Sequence, residues 1–152
     1  MLDKIAIIDF NRTIFDPDNN GLMPGALDLL CFLKNKKMII YLLSNAKSEN
    51  VIQRSNLIKS LGIKDFFEKI FIKDGKSLDD FQLIMKLNKN LDLQSSWVIG
   101  DRVKREIILA NKCGLKTIWF KNGKFATEAP TLIDEEPDFT VYSLEEILVL
   151  IK

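Results

Sequence analysis

Two apolar runs in this chain stop on an aspartate. Ile5-Ala6-Ile7-Ile8-Asp9 leads into Phe10-Asn11-Arg12-Thr13, and Trp97-Val98-Ile99-Gly100 ends on Asp101. Desolvating a carboxylate at the end of a buried strand costs several kcal/mol unless a cation or donor compensates it. In open parallel sheets, the carboxyl ends of the strands line the ligand crevice. Two such acidic tips brought together make a site for a hard divalent cation and a phosphate. The chain has no histidine. That excludes Ser-His-Asp and Cys-His catalysis, His-ligated zinc and imidazole proton shuttling. Catalysis must therefore run on carboxylates, lysine, hydroxyls and metal.

The elements that must position these groups read as alternating strand and helix. Lys4 to Asp9 is the first strand, and the turn-rich Asp16-Pro17-Asp18-Asn19-Asn20-Gly21 is a loop or flap with no regular element. A helix runs from Pro24-Gly25 to about Lys36, with Ala26, Leu29, Leu30 and Leu33 on one face. Strand two is Met38 to Leu43, ending in Ser44-Asn45. A helix from about Lys47 to Ser60 and a third strand, Lys69 to Ile72, follow. Ser77 caps a helix from about Leu78 to Lys89, and the strand ending at Asp101 precedes a helix from about Val103 to Cys113. Thr117 to Phe120 and Phe139 to Val141 are short strands, and Leu144 to Ile151 is a closing helix capped by Ser143. Helices between strands imply right-handed βαβ crossovers and an α/β fold, with a doubly wound, mostly parallel sheet and helices on both faces.

Size and charge bound the rest. A chain of 152 residues, 47% of them hydrophobic, is expected to form one domain over 1–152. Twenty-two basic against 21 acidic residues give a net charge of +1 and no global field for nucleic acid or an anionic membrane. Cys31 and Cys113 read as free, buried thiols. Met1-Leu2-Asp3-Lys4 lacks the features of a signal peptide, and no apolar run approaches the roughly 20 residues that span a bilayer. The expected setting is cytoplasmic.

Four segments, taken in order, resemble the haloacid dehalogenase superfamily. Its phosphatases carry D-x-D-x-T after strand one, Ser or Thr after strand two, a lysine before a later helix, and G-D-x(4)-D after a further strand. The matching segments here are Asp9-Phe10-Asn11-Arg12-Thr13, Leu42-Leu43-Ser44-Asn45, Lys76, and Gly100-Asp101-Arg102-Val103-Lys104-Arg105-Glu106. The resemblance implies a Rossmann-like, Mg²⁺-dependent phosphatase or phosphotransferase. Asp9 would be the nucleophile, passing through an aspartyl-phosphate. Asp9, Asp101 and the main-chain carbonyl of Asn11 would hold Mg²⁺. Ser44, Asn45 and Lys76 would bind the phosphoryl group, with Thr13 and Glu106 in support. Each has a plainer alternative: Ser44 as a helix cap, Glu106 as an exposed helix residue, and Lys73 in place of Lys76.

The motif departs from the family at Asn11, where the family's phosphatases place the aspartate that serves as general acid and base. An amide donates a hydrogen bond but no proton, and that catalysis is worth about 10²- to 10⁴-fold. Slow hydrolysis is expected, except for acyl or aryl phosphates, whose leaving oxygen needs little protonation. Arg12 stands where the family often has glycine, either beside the pocket or pointing to solvent. Only 35 residues separate Asp9 from Ser44 and 32 separate Ser44 from Lys76, which leaves no surplus for a cap domain. An open pocket follows, taking a small or macromolecular phosphorylated substrate or borrowing a lid from a second copy. The alternative from another class is a non-catalytic or regulatory domain that retains metal or phosphate binding. A response-regulator receiver is disfavoured because Ser44, not an aspartate, ends strand two. A metal-free dehalogenase is disfavoured because those relatives carry a cap.

Overall fold

Every residue of the strand Ile5–Asp9 is buried, and period-two alternation divides its side chains between two cores. Ala6 and Ile8 face one apolar cluster, and Ile5 and Ile7 face the other. A strand covered on both faces reads as an unbroken apolar run, which explains the sequence. Each isoleucine taken out of water contributes about 1.5–3 kcal/mol.

The computed structural model describes residues 1–152. In chain order the elements are β1 (Ile5–Asp9), β2 (Phe15–Asp16), β3 (Gly21–Leu22), α1 (Ala26–Asn35), β4 (Ile39–Asn45), α2 (Val51–Ser60), β5 (Lys69–Lys73) and α3 (Leu78–Lys86). They continue with β6 (Trp97–Gly100), α4 (Ile108–Lys112), β7 (Lys116–Phe120), β8 (Phe139–Val141) and α5 (Ile147–Leu150). Six strands form one sheet in the order β5-β4-β1-β6-β7-β8, and every pairing in it is parallel. Buried residues of α1, α2 and α5 pack on one face, and those of α3 and α4 on the other. This is the doubly wound α/β architecture the alternation implies.

The sheet order places the chemistry. From β1 the chain winds outward through β4 and β5, then crosses back so that β6, β7 and β8 extend the opposite side. The winding reverses between β1 and β6, where the strand ends open a crevice. Ile8 pairs with Ile99 across that boundary, so Asp9 and Asp101 emerge side by side just beyond the paired segment.

Several elements differ from the sequence reading. Residues 16–21 are not wholly irregular: β2 and β3 pair as a two-stranded antiparallel hairpin. Asp16 tightens its turn by accepting from Asp18 N–H at 3.0 Å and Asn19 Nδ2 at 2.7 Å. The helix expected over 103–113 is a π-helical turn at Val103–Ile107 followed by α4. Expected helices over 47–60 and 144–151 each begin as a 3₁₀ turn, Ser48–Asn50 and Leu144–Glu146. α3 stops at Lys86 because Asn88 turns its amide back to the carbonyl of Ile84 at 2.8 Å and to the Tyr41 hydroxyl at 3.1 Å. Cys31 is exposed and Cys113 only half-buried, a correction to the reading of both as buried. Ala26, Leu29, Leu30 and Leu33 take the inner face of α1, and position 31 falls on the outer one.

Candidate active site

Three carboxylates meet at the winding reversal. One oxygen each from Asp9, Asp101 and Glu106 lies within 4.8 Å of the others, and all three residues are buried. Asp9 comes from the tip of β1 and Asp101 from just beyond β6. Glu106 comes from the π-helical turn, whose wider winding is a feature often found at functional sites. Gly100 makes room for it: a Cβ there would lie 2.7 Å from Glu106 Oε2.

A single cation sits among these acids. The Lys76 ammonium, its side chain 2% exposed, pairs with Asp9 Oδ1 and, at 2.7 Å, with Glu106 Oε1. Lys73, the competing lysine, instead pairs with Asp80 Oδ1 at 2.5 Å. Asp80 also accepts from Ser77 N–H at 2.9 Å, closing the capping box that starts α3 and fixes the approach of Lys76. Asn45 secures the same loop by accepting from Gly75 N–H at 2.8 Å.

One lysine does not balance three buried acids. Burial, then the facing Asp9 and Glu106, push the Asp101 carboxyl up to about 9. Burial and Asp9 also raise Glu106, against the opposing pull of Lys76. For Lys76, burial acts to lower its pKa, but Asp9 and Glu106 outweigh it and the net shift is upward. Asp101 Oδ2 and Glu106 Oε2 are buried without a hydrogen-bond partner. Such orphaned oxygens in an all-oxygen donor set fit a hard divalent cation.

The remaining expected site residues fall around this cluster. Thr13 donates from Oγ1 to Asp9 Oδ2 at 3.3 Å, and Asn11 and Asn45 line a cleft of about 230 Å³ above the acids. Arg12, in a left-handed backbone conformation (φ 63°), also lines the cleft, with its side chain 18% exposed and 3.5 Å from Asp18. Ser44 is fully buried beneath the lining, and its Oγ accepts from Arg54 Nη1 at 2.5 Å. Glu106 is not an exposed helix residue. A second cleft, about 220 Å³ in volume, lies at the opposite ends of the strands around Lys4, Trp97 and Lys116 and has no acidic or thiol lining.

Arg54 is the residue the sequence reading missed. From α2 it stacks its guanidinium 5.1 Å from the centroid of Phe10 and donates to the Asn45 carbonyl at 3.0 Å as well as to Ser44. Burial lowers its pKa, while the charge of Asp9 works the other way. Arg102, Arg105, Lys124 and Phe125 form the rim of the cleft and were also unassigned.

The doubly wound parallel sheet has the haloacid dehalogenase-like fold without a separate cap, and the chain is similar to proteins of that superfamily in sequence as well as in fold. A family model described as HAD-hydrolase-like matches residues 75–147. The glyceraldehyde 3-phosphate phosphatase of Pyrococcus furiosus is 29% identical over 134 residues, covering 86% of this chain and 54% of that protein. Its counterpart from Pyrococcus abyssi is 34% identical over 106 residues, covering 67% and 43%. The chain thus spans about half the length of these relatives. Among solved structures, the HAD-hydrolase YfnB of Bacillus subtilis, bound to magnesium, superposes with a TM-score of 0.80 at 14% identity over 100% of both chains. A haloacid dehalogenase-like hydrolase of Xanthomonas campestris gives 0.78 at 8% identity, covering 99% of this chain and 95% of that one.

Proposed function

We propose that this chain is a Mg²⁺-dependent phosphomonoester phosphatase or phosphotransferase that works through a phosphorylated Asp9 with low hydrolytic turnover. The observation that carries the reading is the buried cluster of Asp9, Asp101 and Glu106 around Lys76, with two carboxylate oxygens unpartnered. Asp9, Asp101 and the Asn11 carbonyl would hold the cation, with Glu106 a third carboxylate in reach. When bound, it would screen the negative charge between nucleophile and phosphoryl group. The named phosphatase activity of the Pyrococcus relatives and the magnesium in the Bacillus structure support the choice of reaction and ion.

Within this reading, an Asp9 oxygen attacks phosphorus and the bond from phosphorus to the ester oxygen breaks, leaving a mixed anhydride on Asp9 and an alkoxide in need of a proton. Lys76 offsets charge as the two anions approach. Its contact with Glu106 holds the ammonium at the Asp9 oxygen. Asn11 can donate its amide hydrogen to the departing oxygen but cannot surrender a proton. The proton must therefore come from water, unless the leaving group is an acidic phenol or carboxylic acid. Water or another hydroxyl then attacks the acyl phosphate and regenerates Asp9.

Asn11 also favours a second reading, a regulatory domain that binds metal or phosphate without turnover. Hydrolysis of p-nitrophenyl phosphate separates the two. Mg²⁺-dependent cleavage by wild type that disappears in Asp9→Asn supports the enzyme. An inert wild type that gains activity as Asn11→Asp supports the regulatory domain. No cleavage by either protein, with no Mg²⁺ or phosphate binding by calorimetry, refutes both.

A further inference from the structure

We infer that the cleft takes a small phosphomonoester whose leaving group carries a second oxyanion, held at the rim by Arg105 and Lys124. The inference rests on the proposed phosphoryl site and assigns what lies beside it. Four cations besides Lys76 line this cleft, and they are not equivalent. Arg102 is already engaged: it donates to Glu128 Oε2 from Nη2 at 2.7 Å and from Nε at 3.2 Å, and lies 3.8 Å from the centroid of the Phe125 ring. Arg12 faces Asp18. Arg105 and Lys124 form no salt bridge, and each side chain is exposed at the cleft.

The backbone that presents these two residues is tied down. Glu128 also accepts from Lys104 N–H at 3.0 Å, so one carboxylate joins the segment carrying Lys124 to the turn carrying Arg105. Asn122 donates to the Arg12 carbonyl at 3.2 Å, fixing that segment to the loop after β1. Two cations on a braced rim have no acid of their own, while the phosphoryl group is served by Lys76 and the proposed ion. Their complement is a carboxylate or a second phosphate on the same small molecule. The cleft volume of about 230 Å³ suits a phosphoryl group with a tail of a few carbons. Lys124 lies over the Phe125 ring at 5.5 Å, and the neutral aldehyde tail named for the Pyrococcus enzymes leaves it and Arg105 without an anionic partner.

Matched three-carbon ligands test this. Dissociation constants are measured by calorimetry with Mg²⁺ for glycerol 3-phosphate, 3-phosphoglycerate and propane-1,3-diol bisphosphate, in Asp9→Asn protein so that turnover does not interfere. The expected result is binding about tenfold tighter for at least one ligand with a second anion, the carboxylate and phosphate arms identifying which. Combining Arg105→Ala and Lys124→Ala should bring the ratio to within about twofold of one. In the Asp9 wild-type background, the same pair should lower kcat/KM for the preferred ester about tenfold more than for p-nitrophenyl phosphate. Equal affinities for all three ligands, a preference that survives the double substitution, or tighter binding of a phosphopeptide than of any three-carbon ligand overturns the inference. If nothing is hydrolysed, the reaction proposed above fails, yet the binding ratio still decides whether the rim holds an anion.

Discussion

Arg54 holds the Ser44 hydroxyl at 2.5 Å from the neighbouring helix, and the hydrogen bond runs from guanidinium to oxygen. With its lone pair engaged, Ser44 keeps its own hydrogen to donate. Arg54 therefore acts as a positioning residue for a group that lies below the cleft lining. Arg54→Ala is expected to lower phosphate affinity about tenfold and stability by about 1–2 kcal/mol. Arg54→Lys should recover little, because an ammonium lacks the planar guanidinium that stacks over Phe10 while Nη1 donates to both Ser44 and Asn45. Phosphate titration and chemical denaturation of the three proteins check both effects.

Gly100 is expected to tolerate no side chain. A methyl group there meets Glu106 Oε2 at 2.7 Å, so Gly100→Ala must push Glu106 off Lys76 or spread the turn that carries it. Cation affinity should fall at least about tenfold while the far-UV circular dichroism stays that of wild type. Unchanged Mg²⁺ affinity would show that Glu106 does not shape the ion site.

The raised pKa of Asp101 ties stability to pH with a definite sign. Its folded value, about 9, lies above its ordinary 3.8, so the folded chain keeps a proton that the unfolded chain gives up. The contribution is complete below about pH 4 and is lost as pH rises toward 9. Glu106 acts in the same direction, whereas the contribution from the raised Lys76 is complete below its ordinary 10.5 and changes with pH only above it. Cation-free protein should therefore melt at lower temperature at pH 8 than at pH 6, and Asp101→Asn should raise the pH 8 melting point and flatten the dependence. Mg²⁺ binding near pH 7 should release about one proton, read by calorimetry in two buffers of different ionisation heat.

Asn11→Asp puts a carboxyl group in the cleft lining, where the proposed reaction needs an acid for the leaving oxygen. Turnover of an alkyl phosphate should rise by about 10²- to 10⁴-fold, and that of an acyl phosphate far less, since its leaving group needs no proton. Parallel rate measurements on glycerol 3-phosphate and acetyl phosphate give the comparison. An equal gain on both would show that Asn11 limits a step other than departure of the leaving group.

Strand tips were legible because a carboxylate after a buried apolar run is costly wherever it is not used, and Asp9 and Asp101 both follow such runs. The doubly wound sheet followed from alternation alone. Sequence favours Lys76 over Lys73 because Lys76 directly precedes the helix capped by Ser77, and tertiary structure adds that the competitor is drawn off by Asp80, seven residues along the chain. Arg54 left no signal: an arginine on a weakly amphipathic helix reads as solvated, and its partners Phe10, Ser44 and Asn45 come from other elements. The π-helical turn was hidden because apolar spacing reports a helical face without fixing how tightly the first turn is wound. Cys31 reads as buried from its apolar neighbours in sequence, but the helix turns position 31 away from the face that Leu29, Leu30 and Leu33 bury.

The hairpin of β2 and β3 has only two residues in each strand, and this shapes the fate of any acyl phosphate on Asp9. So short a ribbon shelters little. The anhydride would stand open to solvent and to alcohols alike, and its lifetime would be set by which acceptor arrives first. Added glycerol would then divert phosphoryl groups away from water in proportion to its concentration.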